Sequence, residues 1–318
     1  MQPHTITHTT TGLKPNVTIN PKWIKAAVAL LLIVIIAATA FAANRYVKHY
    51  TSAFVDVTID SKVLNESRKL FIRLPHNFDR NKAYPLVIKS DGNFNLKRWD
   101  QTLTLLSQQY DVEDAIVVAI PNLWLPTLWG KGTRNRDLVP PYARVSVEID
   151  PLPASESTPI NPGKADKFLE FIETEVIPYV EHYYHVNNNR ILSGFSAGGS
   201  FVLYAMVTKP DLFGGYFAFS PAAWYDDAEV VRQTAKQLGN MIGVEGTNKF
   251  LYLSLGGDEN PIITASFNGL KAALEAHAPI NLQWRFEFSP GAGHIQNPFD
   301  SIPRAVEAYY QSNTKSNK

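Results

Sequence analysis

The sequence predicts an α/β fold with a mainly parallel sheet covered by helices on both faces. From about residue 84 onward, short β-branched or aromatic runs alternate with segments of helical periodicity. Several of those runs, "YPLVIKS", "AIVVAIP" and "FLYLSLG" among them, are nearly apolar throughout, as strands buried on both faces must be. The chain has 318 residues, 45% hydrophobic and 19% charged, enough to bury a large core.

The first element stands apart from this alternation. Residues 1–22 read as a polar, Thr-rich disordered tail, and Ala26 to Ala43, "AAVALLLIVIIAATAFAA", carries no charge. As a helix at ~1.5 Å per residue that run is roughly 27 Å long, close to a ~30 Å hydrocarbon core. Trp23 and Tyr46 suit the two interfaces. A transmembrane anchor is therefore expected over residues 23–45. The long following domain would be carried to the periplasmic or extracytoplasmic side of a bacterial inner membrane. Ala40-Phe41-Ala42 fits a signal cleavage site, which makes a cleaved, secreted form the alternative.

A catalytic domain is expected over 51–313. "FVDVTI" and "KLFIRLP" read as antiparallel edge strands, followed by "YPLVIKS" as a buried strand, "LKRWDQTLTLLSQQY" as a helix and "AIVVAIP" as a strand. "KADKFLEFIETEVIPYVEHYY" reads as a helix with Phe168, Leu169, Ile172, Val176 and Val180 on one face and a kink at Pro178. Strand "RILSG", helix "SFVLYAMVT", strand "GGYFAFS", helix "DAEVVRQTAKQL", strand "FLYLSLG", helix "ITASFNGLKAALEAH", strand "LQWRFEFS" and a terminal helix from Ile302 complete the order. The segment 121–162 breaks the rhythm. It is long, proline-rich and carries Trp124, Trp129, Arg134, Arg136 and Arg144, and it is expected to be a cap-like insertion over the strand ends.

Composition narrows the chemistry. A formal net charge of +1 gives no basic face for nucleic acid, so the partner expected is a small molecule, besides the membrane met by the N-terminal helix. The absence of cysteine removes thiolate nucleophiles, disulfides and Cys-ligated metals. No metal and no cofactor is called for, and no oligomeric state is indicated.

One short stretch carries a specific signal. Gly194-Phe195-Ser196-Ala197-Gly198 matches G-x-S-x-G, with Ile191 and Leu192 feeding the turn and Phe201, Val202, Leu203 and Ala205 continuing at helical spacing. Strand, sharp turn and helix are what a nucleophile elbow needs, and the helix start would place the Ala197 N–H as one oxyanion donor. A serine hydroxyl needs a base. Among eight histidines, His294 in "SPGAGHIQ" lies in a Gly-rich loop after the last strand and follows Ser196 in chain order. An acid that orients it is expected after the preceding strand, where "LYLSLGGDEN" offers Glu259 and Asp258; Glu259 keeps the commoner spacing from Gly256. A second oxyanion donor is expected from the "KSDGNF" turn, at Gly92 or Asn93.

With "SDGN", "FIETEVIPYVEHYY", "GFSAGG", "FSPAAWY" and "GAGH" in place, the chain resembles one esterase branch of the α/β-hydrolase superfamily. That branch holds enterochelin and salmochelin esterases, S-formylglutathione hydrolases and mycolyl transferases, and the resemblance spans roughly Phe54 to Tyr310. It implies an α/β-hydrolase fold and a serine carboxylic-ester hydrolase working through an acyl-enzyme on Ser196 with His294 as base and acid. It also implies "TRNRDLVP" as a site-lining loop, making Arg134 or Arg136, with Trp224 of "FSPAAWY", the residues that would grip an anionic or catecholate substrate. Siderophore trilactone esters are the implied substrate. An acyltransferase or thioesterase on the same scaffold, or a non-catalytic envelope binding module, are the alternatives. Lys89 departs from the apolar residue such relatives usually place before the Asp-Gly turn.

Overall fold

The computed structural model describes residues 21–50, 53–110, 112–122, 133–142, 163–239 and 248–316. Residues 1–20 of the polar tail, and most of the insertion with Trp124, Trp129 and Arg144, lie outside the described residues. The chain divides into two compact units, Met1–Thr51 and Ser52–Lys318. The first holds helix α1 (Pro21–Tyr50), in which Lys22–Phe41 has a mean hydropathy of 2.6 and none of it is buried. It is apolar and long enough to cross a membrane, and a signal sequence near the N-terminus has the same character.

The second unit is built on an eight-stranded sheet in the order β1-β2-β4-β3-β5-β6-β7-β8. The strands are β1 (Phe54–Ser61), β2 (Glu66–Arg73), β3 (Tyr84–Lys89), β4 (Ile116–Ala119), β5 (Val186–Phe195), β6 (Gly215–Phe219), β7 (Lys249–Gly256) and β8 (Leu282–Ser289). From β4 to β8 every pairing is parallel. β1 and β2 are antiparallel as expected, but β2 is not an edge: it also pairs antiparallel with β4, Phe71 to Ala119 through Arg73 to Val117. Phe71, Ile72 and Arg73 are correspondingly buried.

Alternation along the strands sorts side chains onto two faces. On β3, Leu86 and Ile88 join one core with α4 (Ala165–Phe171), α5 (Ile177–Tyr183), α6 (Ala197–Thr208), α7 (Tyr225–Leu238) and α8 (Pro261–His277). Val87 points to the other, where α2 (Leu96–Gln109) and α9 (Asn297–Ser316) pack through Trp99, Leu103, Ile302 and Tyr309. Lys89 shares the parity of Val87. A short helix, α3 (Arg134–Leu138), lies in the 121–162 insertion and is tied by Asp137 to Arg68 of β2.

Two helix expectations change in detail. The run from Ala165 to Tyr183 is continuous, but Ile172–Val176 is a π turn between α4 and α5. That wider turn immediately precedes Pro178, where a regular i to i−4 bond would be impossible. Phe168, Leu169, Ile172, Val176 and Val180 are all buried as the periodicity requires. The last helix begins at Asn297 rather than Ile302, with Pro298 at its start, where a missing N–H costs nothing.

Because β3 lies between β4 and β5, the connections leaving its carboxyl end and that of β5 pass to opposite faces. The crevice this opens at the strand ends is the usual ligand position in such sheets.

Candidate active site

Ser196 sits between β5 and α6 with φ 57° and ψ −118°, a left-handed conformation that costs a non-glycine residue on the order of 1–3 kcal/mol. The surroundings hold it there. Its N–H donates to Phe219 O at 3.0 Å, and its carbonyl accepts from Ser200 N at 3.1 Å and Ala222 N at 2.9 Å. The flanking glycines are steric necessities: a Cβ at Gly194 would stand 2.1 Å from Gly198 O, and one at Gly198 would stand 2.4 Å from Ser90 Oγ. Ala197 opens α6, so its N–H is among those no helical carbonyl can satisfy and lies at the positive end of the helix dipole.

His294 follows β8 in a loop tied back to β7 by the bond from Asp258 N to Ala292 O, 3.1 Å. Its Nδ1 lies 2.7 Å from Glu259 Oε2. An ionised carboxylate only accepts, so Nδ1 carries the proton, and in the neutral ring the lone pair is then on Nε2. The imidazole rests on the ring of Phe195, centroids 4.7 Å apart, and Phe195 directly precedes Ser196. Ser196 and His294 therefore lie at the same end of the sheet.

Of the two acids left open by the sequence, the geometry joins Glu259 to the histidine. Asp258 is exposed. The Glu259 side chain is 0% exposed, and Oε1 accepts from Gly256 N at 2.7 Å and from the Ser220 hydroxyl. Burial raises the Glu259 pKa, but the bonds from His294, Ser220 and the Gly256 N–H outweigh it and hold the carboxyl below its ordinary value.

Ser220 and Asn297 escaped the sequence reading. Asn297 Nδ2 donates to Ser220 Oγ at 2.7 Å and to Ser254 Oγ at 3.0 Å, while its Oδ1 accepts from Ser289 Oγ at 2.7 Å and Ser301 Oγ at 2.9 Å. A fully buried amide thus supports Ser220, which supports Glu259, which orients His294. "FSPAAWY" contained the signal for Ser220; Asn297 had none, since one Asn at a helix start has many local explanations.

The turn after β3 corrects one expectation. Gly92 N–H donates to Ile120 O at 2.8 Å, so it is not available to an oxyanion. Ser90 N–H goes to Ser193 O, Asp91 N–H to Asn122 Oδ1 and Phe94 N–H to Asp91 O. Of the N–H groups from Ser90 to Phe94, only that of Asn93 has no hydrogen-bond partner among the described residues. Asn93 is exposed, at the tip of a turn closed by the 2.9 Å bond from Phe94 N to Asp91 O. Beneath it, Lys89 is 3% exposed and its Nζ donates to the carbonyls of Ser90 at 3.0 Å, Asp91 at 2.9 Å and Phe94 at 3.0 Å. Burial pushes the Lys89 ammonium down to about 7, with Asp91 opposing.

The arginines also differ from expectation. Arg134 is 3% exposed and forms a bidentate pair with Asp91, so its guanidinium is committed to the protein rather than to a ligand. Arg136 pairs with Glu66 and Asp137, which draw its pKa upward against the opposing effect of burial. Asp137 in turn binds Arg68 at 2.7 Å and Asn122 Nδ2 at 2.9 Å. Each of these guanidinium groups is thus paired with a carboxylate. Trp224 is half-buried against Tyr225 and the core, two residues past Ala222 and so close to the elbow.

Comparison with known proteins agrees with this arrangement of strands and loops. The chain is 26% identical over 178 residues to the Ferri-bacillibactin esterase BesA of Bacillus subtilis, covering 55% of this chain and 61% of the relative. It is 34% identical over 130 residues to the Siderophore enterobactin esterase of Emericella nidulans, covering 40% of this chain and 42% of the relative. The chain thus spans about half the length of the curated relatives it matches. Among solved structures, the BES protein from Bacillus cereus superposes with TM-score 0.68 at 21% identity, over 80% of this chain and 95% of that one. An IroE-like serine hydrolase from Shewanella oneidensis gives TM-score 0.68 at 23% identity, over 81% and 80%. These likenesses speak to the fold. The family model described as "Putative esterase" matches residues 61–251, more than half of the sequence, and the chain belongs to that family of the α/β-hydrolase superfamily.

Proposed function

We propose that the protein is a serine carboxylic-ester hydrolase that acts through an acyl-enzyme on Ser196. The observation that carries the reading is the chain of contacts from Glu259 to His294 to the Phe195 ring beside a strained Ser196. In this scheme Ser196 Oγ attacks the ester carbonyl carbon while His294 Nε2 takes its proton. The carbonyl oxygen becomes an oxyanion held by the Ala197 and Asn93 N–H groups. Collapse breaks the bond to the alcohol oxygen, which leaves with the proton from His294. Water, deprotonated by the same nitrogen, then attacks the acyl carbon and releases the acid and the serine hydroxyl. Glu259 stays ionised throughout and stabilises the imidazolium, in keeping with its lowered pKa.

The substrate class we infer is a siderophore lactone ester, because relatives at 26–34% identity are named as siderophore esterases. We place the catalytic unit on the outer side of a membrane, tethered by α1, on the strength of that helix alone. Labelling with a fluorophosphonate probe tests the nucleophile: the native protein takes the label and Ser196→Ala does not. Equal labelling of both removes Ser196 from its role. Turnover of a catecholate trilactone against short acyl esters and thioesters then tests the substrate class; hydrolysis of short esters alone retains the mechanism and discards the siderophore.

A further inference from the structure

We propose that Lys89 is a positioning residue for the oxyanion site, its ammonium setting the Asn93 N–H through three carbonyl groups of the turn after β3. This rests on the esterase reading given above and adds a residue to it.

The argument starts from where a lysine of β3 has to go. Lys89 pairs with Ala119 of β4 and Ser193 of β5, so its backbone lies in the middle of the sheet. The side chain emerges on the face of α2 and α9, into a small cavity at the strand ends lined by Ser90, Asp91, Phe94, Trp99, Gly194 and Phe219. A buried ammonium is costly unless each of its donors is met. Nζ has three donors and three carbonyl partners, those of Ser90, Asp91 and Phe94, at 2.9–3.0 Å. A stem that merely filled space would not converge on carbonyls from both ends of one turn.

The consequence for the turn is geometric. In a planar trans peptide the C=O and the N–H point in opposite directions. Nζ draws the Ser90 and Asp91 carbonyls inward, and the N–H groups of those same peptides go to Asn122 Oδ1 and Ile120 O. Nζ also holds the Phe94 carbonyl at the far end of the turn. The Gly92–Asn93 peptide is left as the bridge between two anchored ends, and its N–H is the unspent donor. Ser90 and Asp91 also stand where a Cβ on Gly198 would fall, so an error in this turn is felt directly at the first turn of α6.

Three donors exist only while Lys89 is charged. The neutral amine has two N–H groups and releases one carbonyl. The charged group that faces Lys89 is Asp91, itself clamped by Arg134. From the other elements lining the cavity come Ser193 and Gly194 of β5, Trp99 of α2 and Phe219 of β6, and none of these brings an ionisable group. Burial lowers the Lys89 pKa to about 7, so the turn loses its third anchor on the alkaline side of neutrality rather than near the ordinary lysine value of ~10.4.

The test is kcat and KM across pH 6 to 10 on a short acyl ester of a non-titrating alcohol, for the native protein and Lys89→Met. Native kcat is expected to fall as pH rises above about 7. Lys89→Met is expected to lower kcat at pH 6.5 by roughly 10- to 100-fold, with KM within about threefold, and to lose the alkaline fall. A trifluoromethyl ketone, which forms the oxyanion on the serine, should lose affinity by the same factor as kcat, which simple loss of stability would not produce. The inference is overturned if Lys89→Met keeps native kcat, or if both proteins show the same alkaline fall. It is also overturned by a native kcat that is flat from pH 7 to 10, a result that requires no variant to fold. Failure of the esterase reading looks different, since the native protein would then hydrolyse no ester and take no fluorophosphonate at Ser196.

Discussion

Arg134 grips both oxygens of Asp91, Nε to Oδ1 at 2.7 Å and Nη2 to Oδ2 at 2.9 Å, and its Nη2 also reaches the Phe195 carbonyl at 3.3 Å. One guanidinium therefore joins the turn after β3 to the residue before Ser196. Removing it leaves a buried carboxylate unpaired, which typically costs about 3–5 kcal/mol. Arg134→Met should lose about that much in urea unfolding. The double variant Arg134→Met, Asp91→Asn should recover part of it, because no carboxylate is then stranded. Equal loss in single and double variants would show that the pair does not act as a unit.

Arg136 should behave otherwise. Its side chain is 32% exposed and its partners Glu66 and Asp137 are both satisfied acids, with Asp137 also held by Arg68. Arg136→Ala is expected to change KM for an anionic ester and for a neutral ester of the same acyl group by the same small factor. A selective rise for the anionic ester would return the substrate-gripping role to this arginine.

The two acids after β7 separate cleanly by kinetics. Glu259→Gln keeps the shape of the side chain but presents the wrong partner to His294 Nδ1, and kcat should fall by about 10⁴-fold. Asp258→Asn, at an exposed position, should leave kcat within about twofold. The reverse order would move the acid to Asp258.

The same carboxylate carries a stability signature. Its folded pKa is lowered, so ionised Glu259 stabilises the fold above the ordinary carboxylate pKa of ~4.3, and that contribution is lost as pH falls through the folded value. The gap in unfolding free energy between native protein and Glu259→Gln should narrow as pH falls below about 4. A gap that widens below that pH would contradict the direction of the shift.

For the N-terminus, intact-mass spectrometry of the mature protein is the measurement. An uncleaved anchor predicts that Lys22–Phe41 is retained and that the protein stays with membranes through alkaline carbonate washing. A mature chain beginning at Ala43 with the protein in the soluble fraction would establish secretion.

The α/β class was legible because strands buried on both faces have nowhere to place polar residues, so "YPLVIKS" and "FLYLSLG" stand out without context. β2 was misplaced because Lys69 and Ser67 give it the alternation of an edge strand, whereas its second half, Leu70 to Arg73, is buried beneath its neighbours. Ser196, His294 and Glu259 stood out as candidates because each follows a strand and a Gly-rich turn, and the structure joins Glu259 to His294. Gly92 was offered beside Asn93 as a donor, since only tertiary structure reveals that Ile120 takes its N–H. Arg134 or Arg136 was read as a ligand-binding residue, and the ion pairs that both make were hidden for the same reason. Their partners Asp91 and Glu66 lie 43 and 70 residues away in sequence, and no local pattern encodes such pairs.

The five-residue helix α3 sits inside the stretch that the sequence marks as an insertion, yet its first side chain is bolted to Asp91 and Phe195. Any exchange of the 121–162 stretch therefore has to keep that arginine in register. A chimera that swaps the whole of 121–162 for the equivalent piece of a cousin, without an arginine in register, would strand the buried Asp91 carboxylate. Retaining 133–142 and exchanging only what flanks it is the graft that leaves that ion pair whole.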